Sequence, residues 1–217
     1  MKWLKRSICI IIIVVFCAVA IITFLGYQKF TEAIKKVSLD DKIASIENNN
    51  SYIKIEDIPE IYIKAVVAVE DHRFYEHGAI DLISIVRALF NNIKDGELSE
   101  GGSTITQQIA KNMYFSQDKD FIRKIAEIFM AIEIENNYSK NKILELYVNT
   151  CYYGDGYYGI KNACRGYFKK EPIDMSLFEV SLLAGVPNAP SIYAPTQNLE
   201  LSKKRQKHVI NKMLQYG

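Results

Sequence analysis

The sequence predicts a mostly α-helical domain carried behind a single membrane-spanning helix. Three observations lead there: an uncharged apolar run from Ile8 to Gly26, segments whose apolar residues recur at three- and four-residue steps, and helix-starting and helix-ending residues at the edges of those segments. The chain has 217 residues, 49% of them hydrophobic, which suits one anchor and one domain of ordinary size with its own core. The expected organisation is a cytoplasmic tail over 1–7, an anchor over 8–26, a stalk over 27–51 and a folded domain over 52–217.

The Ile8–Gly26 run is roughly nineteen residues long, about the span of a bilayer's hydrocarbon core. Lys2, Lys5 and Arg6 precede it, and this cationic bias predicts a cytoplasmic N-terminus with the rest of the chain on the outer face. Ala18-Val19-Ala20 resembles a signal-peptide cleavage site. The run continues through Ile21, Ile22, Phe24 and Leu25, however, which is long for a signal core and favours an anchor. Beyond it, Lys29 to Asn50 is mixed in charge and ends in the turn-prone Asn48-Asn49-Asn50-Ser51.

Within the domain, Pro59 opens a helix that carries Ile61, Ile63, Ala65, Val66 and Val69 to Glu70-Asp71. A second helix is predicted from Asp81 to Lys94, with Leu82, Ile85, Val86, Leu89 and Ile93 on one stripe and Gly96 as its stop. Ser103 or Thr104 caps a third. Phe121 to Asn136 forms a fourth, Ser139 caps a fifth through Asn149, and Ser176-Leu177-Phe178-Glu179 is a capping box for a sixth ending at Gly185-Val186-Pro187. The aromatic stretch from Tyr152 to Tyr158 is rich in β-formers, yet Gly154, Gly156 and Gly159 favour a loop.

The chain has 27 basic and 25 acidic residues, and three of the cations lie in the tail, so the outer domain is near neutral. Neither a basic face nor a recognisable module supports nucleic-acid binding. Cys9 and Cys17 fall in the membrane run; Cys151 and Cys164 could pair outside, although no spacing indicates it. His72, His77 and His208 show no metal-binding spacing, so no dedicated metal site is expected.

Candidate chemistry lies in three places. A carboxylate pair, Glu70-Asp71, ends an apolar run, where it needs partners or a task. Thr104, Gln108 and Lys111 share one helix face, flanked by Gln107 and Asn112, and Gly101-Gly102 before them allows close backbone approach to a ligand. That surface suits a phosphate or a sugar, although a solvated polar face would read the same way. The helix from Phe121 has an apolar stripe of Phe121, Ile125, Ile128, Phe129 and Ile132, with Met130 and Ile134 on its far side, and is expected to be largely buried. Arg123, Lys124 and Glu127 project together from that far side, either as a surface ion pair or as a functional cluster.

Taken in order, these segments resemble the family 51 glycosyltransferases that polymerise peptidoglycan, in their short monofunctional form. Glu70-Asp71-His72-Arg73-Phe74-Tyr75-Glu76-His77 is similar to the family's first motif, Gly102 through Asn112 to its second and Arg123-Lys124-Ile125-Ala126-Glu127 to its third. Lys140 through Asn149 resembles the fourth, and Ala184-Gly185 through Ala189-Pro190-Ser191-Ile192-Tyr193 the fifth. One departure stands out: Ala79 occupies a position where the family usually has glycine, with Gly78 before it and Asp81 retained.

The resemblance implies a lysozyme-like α-helical glycosyltransferase domain with a small membrane-associated lobe. It also implies inverting transfer of a growing lipid-pyrophosphate-linked glycan to the 4-hydroxyl of lipid II, with release of undecaprenyl pyrophosphate. Glu70 is then the base, and Glu127 a second catalytic carboxylate whose role stays open among orienting cations, steadying a cationic sugar centre and holding a divalent ion. Lys111, Arg123 and Lys124 meet the leaving pyrophosphate; Asp71, Phe74, His77, Ser103, Thr104, Gln107, Gln108 and Asn112 position substrate. No cofactor is required, although Mg²⁺ or Mn²⁺ could ride on the substrate pyrophosphate. Expected partners are lipid II, lipid-linked glycan and membrane lipid, with transpeptidases and other cell-wall synthesis proteins as further candidates.

Met113-Tyr114-Phe115 is open to two readings, core packing or a lobe dipping into the outer leaflet. A transpeptidase would use Ser-x-x-Lys, and Ser51–Lys54, Ser116–Lys119 and Ser139–Lys142 all match, but three matches in a Lys-rich chain without Lys-Thr-Gly point to coincidence. The competing classes are a lysozyme-like glycosidase and a non-catalytic scaffold that binds the lipid precursor.

Overall fold

The computed structural model describes residues 2–95, 101–115 and 120–216. Among them are eleven helices in chain order: α1 (Lys2–Lys36), α2 (Leu39–Glu47), α3 (Glu60–Glu70), α4 (Leu82–Asp95), α5 (Ile105–Tyr114), α6 (Phe121–Asn137), α7 (Lys140–Thr150), α8 (Ile160–Phe168), α9 (Leu177–Gly185), α10 (Pro190–Tyr193) and α11 (Leu199–Tyr216). The described residues form no strand; Tyr152 and Tyr158 make one isolated antiparallel bridge. The mostly helical fold is therefore as expected. Gly96, read as the stop of α4, lies outside the described residues.

Short polar side chains start the helices by accepting from otherwise orphaned amides. Ser38 takes the Asp41 N–H, Thr104 that of Gln107, Asp120 those of Ile122 and Arg123, and Ser139 that of Lys142. Asp81 accepts from Ile83 and Ser84 at 3.0 and 3.2 Å and so starts α4. The capping box expected from Ser176 to Glu179 is formed.

The core is assembled around α7, where Ile143, Leu144, Leu146, Tyr147 and Val148 are all fully buried. Ile105 and Ile109 of α5, Met130 and Ile134 of α6, Tyr62 and Val66 of α3, and Val180 and Leu183 of α9 complete it. Each such apolar side chain contributes about 1.5–3 kcal/mol on leaving water, before the entropy of ordering it is counted. Helix α5 packs on α6 and α7, while α3 packs on α9 and α11. This leaves Glu70, at the end of α3, facing residues of α5 and α11.

Several expectations change. The segment 27–51, read as a stalk, is helical: α1 continues to Lys36, and Leu39 and Ile43 of α2 enter the core. The stripe on α6 does not face the core. Phe121 is 86% exposed and Ile132 40%, whereas Ala126, Glu127, Met130 and Ile134 are buried. The reason is α1. Gly26 closes on Ile125, and Tyr27 and Phe30 pack their rings on Phe129 at 5.2 and 5.9 Å, so the stripe receives the prolonged first helix. The stripe on α4 is likewise turned outward, with Leu82, Val86, Leu89 and Ile93 exposed.

Met113 is buried, and Tyr114 and Phe115 pack against the core, with the Tyr114 hydroxyl donating to the Val37 and Ser38 carbonyls. The trio is packing. Cys151 and Cys164 are buried and unpaired. Ala79 does not need a glycine's freedom: its backbone is outside the left-handed region, and its carbonyl accepts from Thr104 Oγ1 at 2.9 Å and Gln107 Nε2 at 3.3 Å.

Candidate active site

A cleft of about 300 Å³ opens between the two helix groups. Its walls are the end of α3 with Glu70 and Asp71, the Gly101–Thr104 loop, Gln108 and Lys111 of α5, Ser84 and Arg87 of α4, and Arg205, His208 and Lys212 of α11. Gly102 allows the loop to lie flat on α4, since a Cβ there would stand 3.2 Å from the Ile85 Cα.

Glu70 sits at the C-terminal end of its helix, where the aligned peptide dipoles disfavour an anion. It is held by two donors. Gln108 Nε2 reaches Oε2 at 2.9 Å and Arg205 Nη2 reaches Oε1 at 3.3 Å, with the Glu70 side chain only 6% exposed. Arg205 is a residue that sequence reasoning missed, as are Arg87, His208 and Lys212. A signal existed in the basic residues Lys203 to Lys212, but nothing local tied them to Glu70.

Asp71 turns away from the opening to organise the wall. Its Oδ2 accepts the Ile105 N–H at 3.0 Å and its Oδ1 meets His77 Nε2 at 2.7 Å, while His77 Nδ1 lies 2.6 Å from the Gly78 carbonyl. Beside it, His72 Nε2 lies 3.0 Å from Arg87 Nη1, and its ring stacks on Tyr216 at 4.0 Å. Burial and the cations Arg87 and Lys212 hold this imidazole below its ordinary range, so it faces Arg87 as a neutral acceptor.

Asp71, His77 and Asp81 bring potential ligand atoms within 4.8 Å of one another. Each is already engaged: Asp81 accepts from Ile83, Ser84 and the Ser84 hydroxyl and pairs with Arg73. Although burial alone would raise it, these Ser84 bonds and Arg73 leave the Asp81 carboxyl below its usual range. As arranged, the three side chains hold one another and the neighbouring backbone as a hydrogen-bonded corner.

Glu127 forms a second centre. Its side chain is 2% exposed and receives Arg123 Nη1 and, at 3.1 Å, Lys124 Nζ. It does not line the cleft with Glu70. The two centres meet through Ser103 on the cleft wall, whose Oγ accepts from Lys124 Nζ at 2.8 Å. Each Glu127 oxygen faces a cation, Arg123 on one and Lys124 on the other. Arg123 Nε is buried without a hydrogen-bond partner among the described residues.

The remaining expected contacts divide. Ser103, Thr104, Gln108 and Lys111 line the cleft together. Gln107 is buried on Ala79, Asn112 is half-buried away from the lining, and Phe74 is fully enclosed, with Lys140 Nζ 4.3 Å above its ring. Phe74 is thus a packing residue, not a substrate contact. Of the Ser-x-x-Lys matches, Ser51 bonds Asn49 and Ser139 caps α7, while Lys142 is committed to Glu47 and Glu145; Ser116–Lys119 lies outside the described residues.

Comparison with known proteins identifies the family. The family model described as Transglycosylase matches residues 39–214. Penicillin-binding protein 1A of Neisseria lactamica is 47% identical over 180 residues, covering 82% of this chain and 23% of that protein. Penicillin-binding protein 1F of Bacillus subtilis is 44% identical over 178 residues, covering 82% of this chain and 25% of that protein. The chain therefore spans about a quarter of the length of these relatives. A family match that begins at α2 and takes in both carboxylate centres leaves one assignment: the chain belongs to the transglycosylases of glycosyltransferase family 51.

Proposed function

We propose that this chain polymerises peptidoglycan glycan strands from lipid-linked precursors at the outer face of a bacterial cell membrane. The acceptor is the 4-hydroxyl of lipid II, and the donor is the growing glycan on its lipid pyrophosphate. Glu70 takes the hydroxyl proton as that oxygen bonds to the donor's anomeric carbon. The bond from that carbon to the pyrophosphate breaks on the opposite side, inverting the centre and releasing undecaprenyl pyrophosphate. The observation that carries the reading is Glu70 in a cleft walled by Lys111, Arg87, Arg205 and Lys212. Both groups holding Glu70 are donors, which suits a carboxylate that accepts a proton better than an acid that gives one to a glycosidic oxygen.

Negative charge developing on the leaving pyrophosphate is met by preorganised cations in a partly desolvated site. Lys111 lies on the cleft wall, and Lys124 reaches it through Ser103; Glu127 orients Arg123 and Lys124. Any Mg²⁺ or Mn²⁺ would arrive on the phosphate oxygens of the substrate. The exposed apolar face of α4, with Leu82, Val86, Leu89, Phe90 and Ile93, supports a lobe that rests in the membrane where the lipid carrier enters. The uncharged part of α1, exposed in the structure, is the anchor.

Incubating purified protein with lipid-linked disaccharide, with and without EDTA, and resolving products on gels tests this directly. Polymer from the parent and none from Glu70→Gln supports the reading. Parent-rate polymerisation by Glu70→Gln removes the base assignment, and fragments released from sacculi without lipid substrate indicate a hydrolase.

A further inference from the structure

Gln108 can steady Glu70 only if its amide presents nitrogen rather than oxygen to the carboxylate, and rotation by half a turn would exchange the two. The carboxylate, which only accepts, selects the nitrogen, and the group that holds the amide in that place lies on α7. The Tyr147 hydroxyl donates to Gln108 Oε1 at 3.4 Å, while Gln108 Nε2 donates to Glu70 Oε2 at 2.9 Å. We propose that Tyr147 is a positioning residue for the base, acting through Gln108 to keep a donor turned toward Glu70. This inference rests on the reading of Glu70 as base.

The surroundings make the phenol a dependable donor. Tyr147 is fully buried in the centre of the core, with its ring clamped by packing. Its other hydrogen-bonding neighbour is the Cys151 thiol one turn later, also buried. Burial pushes both groups well up from their ordinary ranges, so both keep their protons. A protonated thiol is a weak donor and a poor acceptor, which leaves the phenol O–H for the amide oxygen. A reversed amide would set oxygen against the carboxylate, and the phenol's proton would have to turn from the amide to the thiol, a poor acceptor. The chain of contacts therefore has one favourable polarity, and it runs from the core to the cleft.

Tyr147→Phe removes one oxygen and preserves the ring. We expect kcat to fall about threefold to tenfold with KM near the parent's, the size of effect one hydrogen bond supports. The acid limb of the pH–rate profile should move to higher pH, because the carboxylate loses a fixed donor. Tyr62→Phe is the control: its hydroxyl is equally buried but bonds Tyr153 at 2.9 Å, so it should lower the melting temperature and leave the acid limb in place. Parent kinetics and an unmoved acid limb in Tyr147→Phe overturn the proposal, as does an equal displacement in both variants. Glu70→Gln is run alongside. If it is inactive while Tyr147→Phe behaves as parent, only the positioning role fails; if it is active, the base reading fails with it.

Discussion

Arg205 and Glu70 stand 135 residues apart in sequence and meet at 3.3 Å across the cleft, where α11 crosses the end of α3. The guanidinium also lies near the Gly185 carbonyl and over the Tyr193 ring at 5.8 Å, so it is anchored on the side away from the carboxylate. Arg205→Ala leaves a nearly enclosed carboxylate with Gln108 alone. We expect at least about a tenfold loss of kcat/KM in polymerisation of a fluorescent lipid-linked disaccharide, with partial recovery in Arg205→Lys, which restores charge without the fork.

Glu127 separates charge from shape. Glu127→Gln keeps the side chain's size but removes the charge that joins the mostly buried Arg123 to the partly exposed Lys124, so stability should fall by about 1–2 kcal/mol once solvent screening at Lys124 is counted. Polymerisation should be lost as the cations shift. Ser103→Ala, which cuts only the Lys124 contact with the cleft wall, is expected to keep the parent's denaturation midpoint and reduce kcat. Urea titration and product gels on the two variants check the pair.

The outward face of α4 predicts lipid dependence. Replacing Leu89 and Phe90, both at least 60% exposed, by serine should weaken co-flotation with vesicles while leaving thermal unfolding unchanged or slightly raised. The comparison uses the full chain and a version lacking the apolar part of α1, so that the anchor does not mask the change.

Glu145 should contribute to acid sensitivity. Burial alone would raise its carboxyl, but bonds from Lys142, the Tyr52 hydroxyl and the Ile55 amide hold it below the ordinary value of 4.5. The unfolded chain then binds the proton more tightly than the folded one. Stability from this group is complete above 4.5 and is lost as pH falls through the lower folded value. Thermal melts between about pH 6 and pH 3 should show a decline that is shallower in Glu145→Gln.

Helices with strong caps were legible in the sequence. Ser139, Ser176 and Thr104 each mark a helix start that the structure keeps, because capping is local. Which face a helix buries is not local. On α6 the stripe of Phe121, Ile125 and Phe129 read as core, yet it receives α1 while the charged Glu127 face turns inward. The same limit hid Arg205, since only the tertiary crossing of α11 and α3 brings it to Glu70. Phe74 and His77 shared a motif with Glu70 and Asp71, but motif membership does not tell a substrate contact from a side chain that holds the corner together.

The first helix runs without a break from its apolar part to Lys36, and Gly26 is the point where it closes on Ile125, since a Cβ there would stand 2.5 Å from that side chain's Cγ2. A tether jointed at the bilayer surface would let the catalytic mouth swing to any height above the lipid headgroups. A rigid mast clamped to the domain instead sets one stand-off, so inserting one helical turn just before Gly26 should lift the mouth by about 5 Å while leaving the direction it faces nearly unchanged.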